Sequence, residues 1–146
     1  MAVSGAYIGG VQAKDQLTHL IKTNPKVPKA NGKMTVRITF ENKGVEEGSI
    51  GKVALWLTRV ADHRPSEAGG YFEGARCAYE GYDFWADFSD VVLKPGQSRM
   101  VKLTNVPVPA TAGWWQLSAL PDINCKLAAS RDVRPSAPYV AVEVVD

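Results

Sequence analysis

The 146-residue chain has few of the residues on which catalytic and metal sites are usually built. It contains two cysteines, Cys77 and Cys125, and two histidines, His19 and His63. A cysteine nucleophile needs a base within hydrogen-bond reach and a third group that orients the base. His63 and Cys77 share one segment, which leaves a hydrolase as the enzymatic alternative, but no third group is identifiable. No zinc-ligand spacing is present either. The sequence therefore predicts no enzyme, no metal and no cofactor.

Net charge and long apolar runs are also lacking. The formal net charge is +2, and the lysines and arginines are scattered along the sequence, unlike the clustered charges of nucleic-acid-binding proteins. No apolar run approaches the ~20 residues of a membrane-spanning helix. Residues 1–10 lack the basic start and apolar centre of a signal peptide. The sequence predicts neither nucleic-acid binding nor membrane insertion, and it leaves open a cytosolic protein or a mature extracellular domain.

Period-two apolar patterns dominate, and no long stretch keeps the period near 3.6 residues of an amphipathic helix. Residues 34–40 are the clearest example, because Met34, Val36, Ile38 and Phe40 alternate with polar residues. Such alternation is typical of a strand with one buried face. Further strands are predicted at 53–60, 84–93, 99–106, 114–120 and 139–145, with an edge strand within 6–23.

The order of these strands predicts the fold class. About seven strands separated by turn signals, such as Lys94-Pro95-Gly96-Gln97, are expected of an all-β, immunoglobulin-like β-sandwich of antiparallel strands. We expect one domain over residues 1–146, in which 1–23 supplies an edge strand or leader segment. Residues 61–83 form a long insertion between the third and fourth core strands, and loops of this length are often functional.

An aromatic-rich segment, residues 71–88, holds seven of the thirteen aromatic residues in the chain. Rings interleaved with carboxylates suit a carbohydrate ligand, and aromatic side chains are also enriched in protein interfaces. The alternative is that the rings pack over the edge of the sandwich. If the strand 114–120 alternates, Trp114 or Trp115 must face outward. The candidate ligand-binding or partner-binding residues are Tyr71, Phe72, Tyr82, Trp85 and Trp114.

Two groups of oxygen-bearing residues are candidate calcium ligands. Asp83, Asp87 and Asp90 form the first group, and Asp122 and Asn124 form the second. Neither group has the spacing of a known calcium loop. We therefore expect these residues to be solvated or to cap turns.

The order of strand and turn motifs resembles that of the bacterial cell-adhesion-related domain (CARDB), an immunoglobulin-like module. The resemblance rests on Thr-Val-Arg-Ile-Thr-Phe-Glu-Asn-Lys-Gly at 35–44, Leu-Lys-Pro-Gly-Gln at 93–97 and Gly-Trp-Trp-Gln-Leu at 113–117, and it covers residues 24–146. It implies an extracellular or cell-surface module without catalytic activity. Neighbouring domains or subunits, a second copy of the chain and a polysaccharide are the expected partners.

Two segments depart from the CARDB pattern. The insertion 61–83 is longer than the usual connection, and the segment after Asp122 reads Cys-Lys-Leu-Ala-Ala-Ser at 125–130. No cation-binding role is therefore carried over to that loop.

Cys77 and Cys125 are predicted to form a disulfide between the insertion and the loop after the sixth strand, with two free buried thiols as the alternative. These loops leave opposite ends of a simple sandwich, so the insertion must run back along it, and it is long enough to add a strand. We expect thiol titration of the unreduced, denatured protein to find no free thiol. Reduction should lower the free energy of unfolding by roughly 4–5 kcal/mol, because the bridge closes a long loop. Two titratable thiols would contradict the disulfide and favour a cytosolic protein.

Overall fold

The structure is a computed structural model. It describes residues 11–13, 21–42, 47–61, 71–72, 82–120 and 137–146. Every regular element within these ranges is a β-strand, and all paired strands are antiparallel. The strands are β1 (Val11–Ala13), β2 (Ile21–Asn24), β3 (Lys33–Asn42), β4 (Gly48–Ala61), β5 (Tyr71–Phe72), β6 (Phe84–Leu93), β7 (Ser98–Pro107), β8 (Gly113–Leu120) and β9 (Ala137–Val144). The predicted all-β sandwich is confirmed.

Strand β3 organises the smaller, four-stranded sheet. It pairs with β7 along one side and with β1 and β2 along the other. Its burial alternates as predicted, with Met34, Val36, Ile38 and Phe40 buried and the residues between them partly exposed. The predicted amino-terminal edge strand is present as β2, which the shorter β1 joins on the same side of β3.

Strand β4 lies inside the larger sheet, whose order is β5-β9-β8-β4-β6. Val53 and Leu55 belong to the core between the sheets. Ala54 and Trp56 lie on the opposite face of β4 and are also buried. The sequence predicted such a central strand, apolar on both faces, with Trp56 facing away from Val53 and Leu55.

The core consists of the inward-facing residues of both sheets. Burying one large aliphatic side chain contributes roughly 1.5–3 kcal/mol relative to leaving it exposed. Because Trp115 packs against this core, Trp114 is the tryptophan that faces outward on β8. The fully buried large side chains are Phe40, Ile38, Ile50, Leu55, Leu93, Leu103, Leu117, Val36, Val53 and Val106.

The predicted insertion contributes a short strand to the larger sheet. Tyr71 and Phe72 form β5, which pairs with Pro138 and Ala137 at the start of β9. The insertion therefore does return to the sandwich. Residues 62–70, 73–81 and 121–136 lie outside the described residues. His63, Cys77 and Cys125 are among them, so the disulfide stays a prediction.

A tight turn connects β6 of the larger sheet to β7 of the smaller one. The amide of Gln97 donates to the carbonyl of Lys94 at 2.9 Å, and the Gln97 side chain accepts from the amide of Lys94 at 2.9 Å. Gly96 has a φ of +84°, a conformation that glycine adopts without steric cost after a proline in a type II turn. The turn predicted at these residues is confirmed.

The structural position of Asn42 differs from the sequence prediction. The sequence predicts that strand β3 ends at residue 40, but Asn42 is the last residue of β3 and is fully buried. Its side-chain amide donates to the carbonyl of Leu93 at 2.8 Å. Its backbone amide donates to Gln97 O at 2.9 Å, and its carbonyl accepts from Gly96 N at 2.7 Å. Asn42 therefore ties β3 to the end of β6 and to the β6–β7 turn.

We expect Asn42→Ala to lower the free energy of unfolding by about 1–3 kcal/mol, because the Leu93 carbonyl would lose a buried donor. Urea denaturation measures this change. Ser98→Ala, at an exposed position, is the control and should stay within about 0.5 kcal/mol of the parent. An unchanged midpoint for Asn42→Ala would show that this hydrogen bond does not hold the turn in place.

Candidate functional site on the outer sheet faces

The five candidate residues lie at three separate places on the larger sheet. Trp85 is on the edge strand β6, and Tyr82 lies two residues before that strand begins. Tyr71 and Phe72 form β5 at the opposite edge, and their side chains lie outside the described residues. Trp114 is on the inner strand β8, where it pairs with Glu143 of β9.

Strand geometry shows that these places do not form one site. Trp85 pairs with Ala54, which in turn pairs with Leu120 of β8. Trp114 lies six residues before Leu120, which corresponds to roughly 20 Å along the strand. Strand β5 lies four strands away from β6, which is roughly 19 Å across the sheet. The structure therefore brings together Tyr82 and Trp85 and leaves the other candidates apart.

Lys52 joins Tyr82 and Trp85 in what we call the Lys52 cluster. Its ammonium nitrogen lies 4.2 Å from the centroid of the Trp85 ring and 5.0 Å from that of Tyr82. The same nitrogen donates a hydrogen bond to the Tyr82 hydroxyl at 2.8 Å. Trp85 is nevertheless 50% exposed. A cation over a ring is worth about 0.5–1 kcal/mol at an exposed site, so the lysine orients the indole while half of its surface stays accessible.

The cluster follows from strand register. Lys52 pairs with Asp87, and Ala54 pairs with Trp85, so Lys52 and Trp85 are diagonal neighbours on one face. Diagonal pairs are within reach of long and aromatic side chains. Lys52 was not among the predicted site residues, because it lies on β4, outside the aromatic-rich segment 71–88. The alternating pattern of 53–60, extended back by one residue, would have placed Lys52 on the Ala54 face.

The remaining described aromatics of β6 point the other way. Phe84 and Phe88 pack against the core. The predicted alternative, in which rings of this segment pack on the sandwich, therefore holds for Phe84 and Phe88. Trp85 lies between them in the alternation and faces solvent.

Two carboxylates of this segment cap the backbone, as the sequence predicted. Asp83 accepts from the amide of Leu57 at 2.7 Å, and its own amide donates to the carbonyl of Leu55 at 2.8 Å. Asp87 accepts from the Ser89 amide at 2.9 Å and from the Ser89 hydroxyl. Asp90 is exposed, and Asp122 and Asn124 lie outside the described residues. Within the described part of the chain, no three histidine, cysteine or acidic side chains are grouped as metal ligands.

An open cavity of about 290 Å³ lies at one end of the sandwich. Its charged lining residue is Asp83, whose carboxylate already accepts a backbone hydrogen bond. The Trp115 indole nitrogen donates to the carbonyl of Thr111 at 3.0 Å. The polar groups of this cavity thus serve the fold. It is lined by Leu57, Asp83, Pro107, Val108, Pro109 and Trp115.

A membrane-crossing helix would have to be long and apolar, and the described residues contain none of that kind.

The fold is similar to that of known CARDB domains. No protein-family model and no curated protein matches the sequence. The solution structure of a CARDB domain from Pyrococcus furiosus has a TM-score of 0.50 with this chain at 17% identity, covering 86% of this chain and 90% of that one. The chain thus has an immunoglobulin-like β-sandwich fold of the CARDB type, as the sequence resemblance predicted.

The same sandwich also occurs as part of larger proteins. The structure of β-glucosidase 3B from Thermotoga neapolitana, solved with α-D-glucose, has a TM-score of 0.51 and 11% identity. The match covers 94% of this chain and 16% of the glucosidase. Because the identity is so low, this similarity concerns the fold alone.

Proposed function

We propose that this chain is a non-catalytic immunoglobulin-like module of an extracellular or cell-surface protein, where it positions neighbouring domains or subunits. The observation that carries the proposal is the apolar core, which the inner faces of both sheets fill together. Apart from the buried Asn42 and Ser118, the polar and charged side chains of the described strands are at least partly exposed, where they can contact partners. The CARDB-like fold agrees with this role.

The sandwich edges indicate where a partner strand can pair. In β6, residues 89–91 lie opposite the single residue Ile50, and in β7, residues 104–105 lie opposite Thr35. Such bulges interrupt an edge and discourage pairing with another chain. Residues 98–103 of β7 form a regular stretch that, among the described strands, pairs with β3 alone, so its other edge can accept a strand.

The edge of β9 is enclosed at both ends. Strand β5 pairs with Ala137 and Pro138. At the other end, Val145 donates to the carbonyl of Pro28 at 3.0 Å and accepts from the amide of Ala30 at 2.6 Å. The free edge of β7 is therefore the better site for strand addition.

Self-association through β7 should be weak at low salt and should strengthen with salt, because the charges of Arg99 and Lys102 repel their copies until they are screened. Sedimentation equilibrium measures it. Val92 and Met100 lie on either side of the β6–β7 turn and are each 47% exposed, so Val92→Lys with Met100→Lys should abolish association. The control is Val27→Lys with Val60→Lys, at positions 43% and 44% exposed. A parent protein that stays monomeric at millimolar concentration in high salt would contradict self-assembly.

Carbohydrate recognition through the Lys52 cluster is the second candidate function. The observation that favours it is the Trp85 indole, which is half exposed although Lys52 and Tyr82 hold it in place. A preorganised ring loses little conformational entropy on binding. The face of an indole can stack on the C–H face of a sugar, while Asp87 and the Tyr82 hydroxyl lie beside it as hydrogen-bonding groups.

A glycan array followed by titration with the best neutral glycan tests this candidate. Trp85→Ala should weaken binding about 5- to 150-fold, if stacking of a sugar on the ring contributes on the order of 1–3 kcal/mol, as stacking of a nucleic-acid base does. Trp114→Ala is the matched control, because Trp114 also faces outward but lies roughly 20 Å away. Equal losses for the two variants, or no neutral glycan bound, would remove carbohydrate recognition by this cluster.

A further inference from the structure

Three cations stand side by side on the outer face of the smaller sheet. Lys22 of β2 pairs with Arg37 of β3, and Arg37 pairs with Lys102 of β7. Their inward-facing neighbours Ile21, Ile38 and Val101 are buried in the core, so the three charged side chains point to the opposite side. Lys22 and Lys102 are exposed, and Arg37 is partly exposed. We call these three residues the basic row.

The described neighbours of the basic row do not neutralise it. Lys33 adds a fourth cation to the described part of this face. Glu41 is the carboxylate that the described strands place there, and it lies four residues from Arg37 along β3, which is roughly 14 Å. The described strand residues of this face therefore carry a net charge of +3, more than the +2 of the whole chain.

Fold stability does not explain this arrangement. Like charges directly opposite each other on neighbouring strands are destabilising. Lysines on edge strands can prevent unwanted pairing, which accounts for Lys22 and Lys102. Arg37 lies on the central strand, with a cation on each side, and protects no edge. Departures from the local rules of a fold tend to occur at functional sites.

We propose that the basic row binds an acidic polysaccharide, a linear sugar polymer that carries carboxylate or sulfate groups. Neighbouring strands are about 4.8 Å apart, so the three cations span about 10 Å across the sheet. The planar guanidinium of Arg37 can form paired hydrogen bonds with a carboxylate or sulfate. Thr35 and Thr39 lie on the same face on either side of Arg37, where their hydroxyls can bond to sugar hydroxyls.

The composition of the face favours this ligand over other polyanions. Sheets that bind single-stranded nucleic acid stack bases on aromatic side chains, and the described strands place no aromatic residue on this face. Duplex DNA is read by an element that enters a groove, whereas this surface is a sheet face. An acidic protein partner would be expected to use a buried apolar anchor, and Met100 is the large apolar side chain that the described part of this face offers.

The test is a titration of the protein with polygalacturonate oligomers at low salt. Tryptophan fluorescence or calorimetry measures the binding. The variant is Lys22→Gln/Arg37→Gln/Lys102→Gln, which should weaken binding about tenfold, because exposed charge contacts each contribute a few-fold. The matched control is Lys26→Gln/Lys29→Gln/Lys94→Gln, at three exposed positions outside this face. Both variants lower the net charge of +2 by three units, so a difference between them reports the position of the charges.

Fully methyl-esterified oligomers have the same backbone without the charge and should not bind. The Lys22→Gln/Arg37→Gln/Lys102→Gln variant should unfold at a denaturation midpoint at or above that of the parent, because it removes like-charge repulsion. Arg37→Gln alone provides a second variant of the basic row.

Four results would overturn the proposal. They are the absence of binding, equal losses in the two triple variants, equal binding of the esterified oligomers, and tighter binding of oligo-dT than of polygalacturonate at the same salt concentration.

Discussion

The burial of alternate side chains between two sheets is the constraint on which the rest of this structure depends. Successive side chains of a strand point to opposite faces, so each apolar residue that enters the core directs its neighbours outward. Ile38 is buried, and Arg37 and Thr39 therefore lie on the outer face of the smaller sheet. Ala86 packs against the core, and Trp85 consequently faces solvent on the larger sheet. The candidate surfaces are thus held in place by the same packing that stabilises the fold.

Few polar side chains enter the buried region, and the one best defined by its contacts serves the connection between the sheets. Asn42 satisfies the carbonyl of Leu93 and bonds through its own backbone to Gly96 and Gln97. These bonds join the end of β3 to the chain as it crosses from β6 to β7. The crossing places the edge strands β6 and β7 along one side of the sandwich, where bulges limit the length of edge open to a partner.

The two outer faces differ in chemistry. One carries a half-exposed indole that a lysine holds in place, and the other carries a row of cations between threonine hydroxyls. Because the sandwich core separates them, the two proposed ligand surfaces can act independently. A shared fold does not determine what such surfaces bind, because function depends on the side chains that each protein places on its scaffold. The similarity to CARDB domains and to part of a glucosidase is consistent with that view.

The sequence by itself determined the strands β2–β4 and β6–β9, the tight turn at 94–97, the outward position of one tryptophan in the Trp114–Trp115 pair and the immunoglobulin-like class. Each of these depends on local periodicity or on the backbone preferences of proline and glycine. Local periodicity shows which face a residue occupies, but it does not show which strands become neighbours or in what register. Only the tertiary structure decided that Lys52 lies over Trp85, that Asn42 is buried, and that Lys22, Arg37 and Lys102, which are scattered along the sequence, form one row. These contacts join residues far apart in the chain, which strand pairing and the packing of the two sheets bring together.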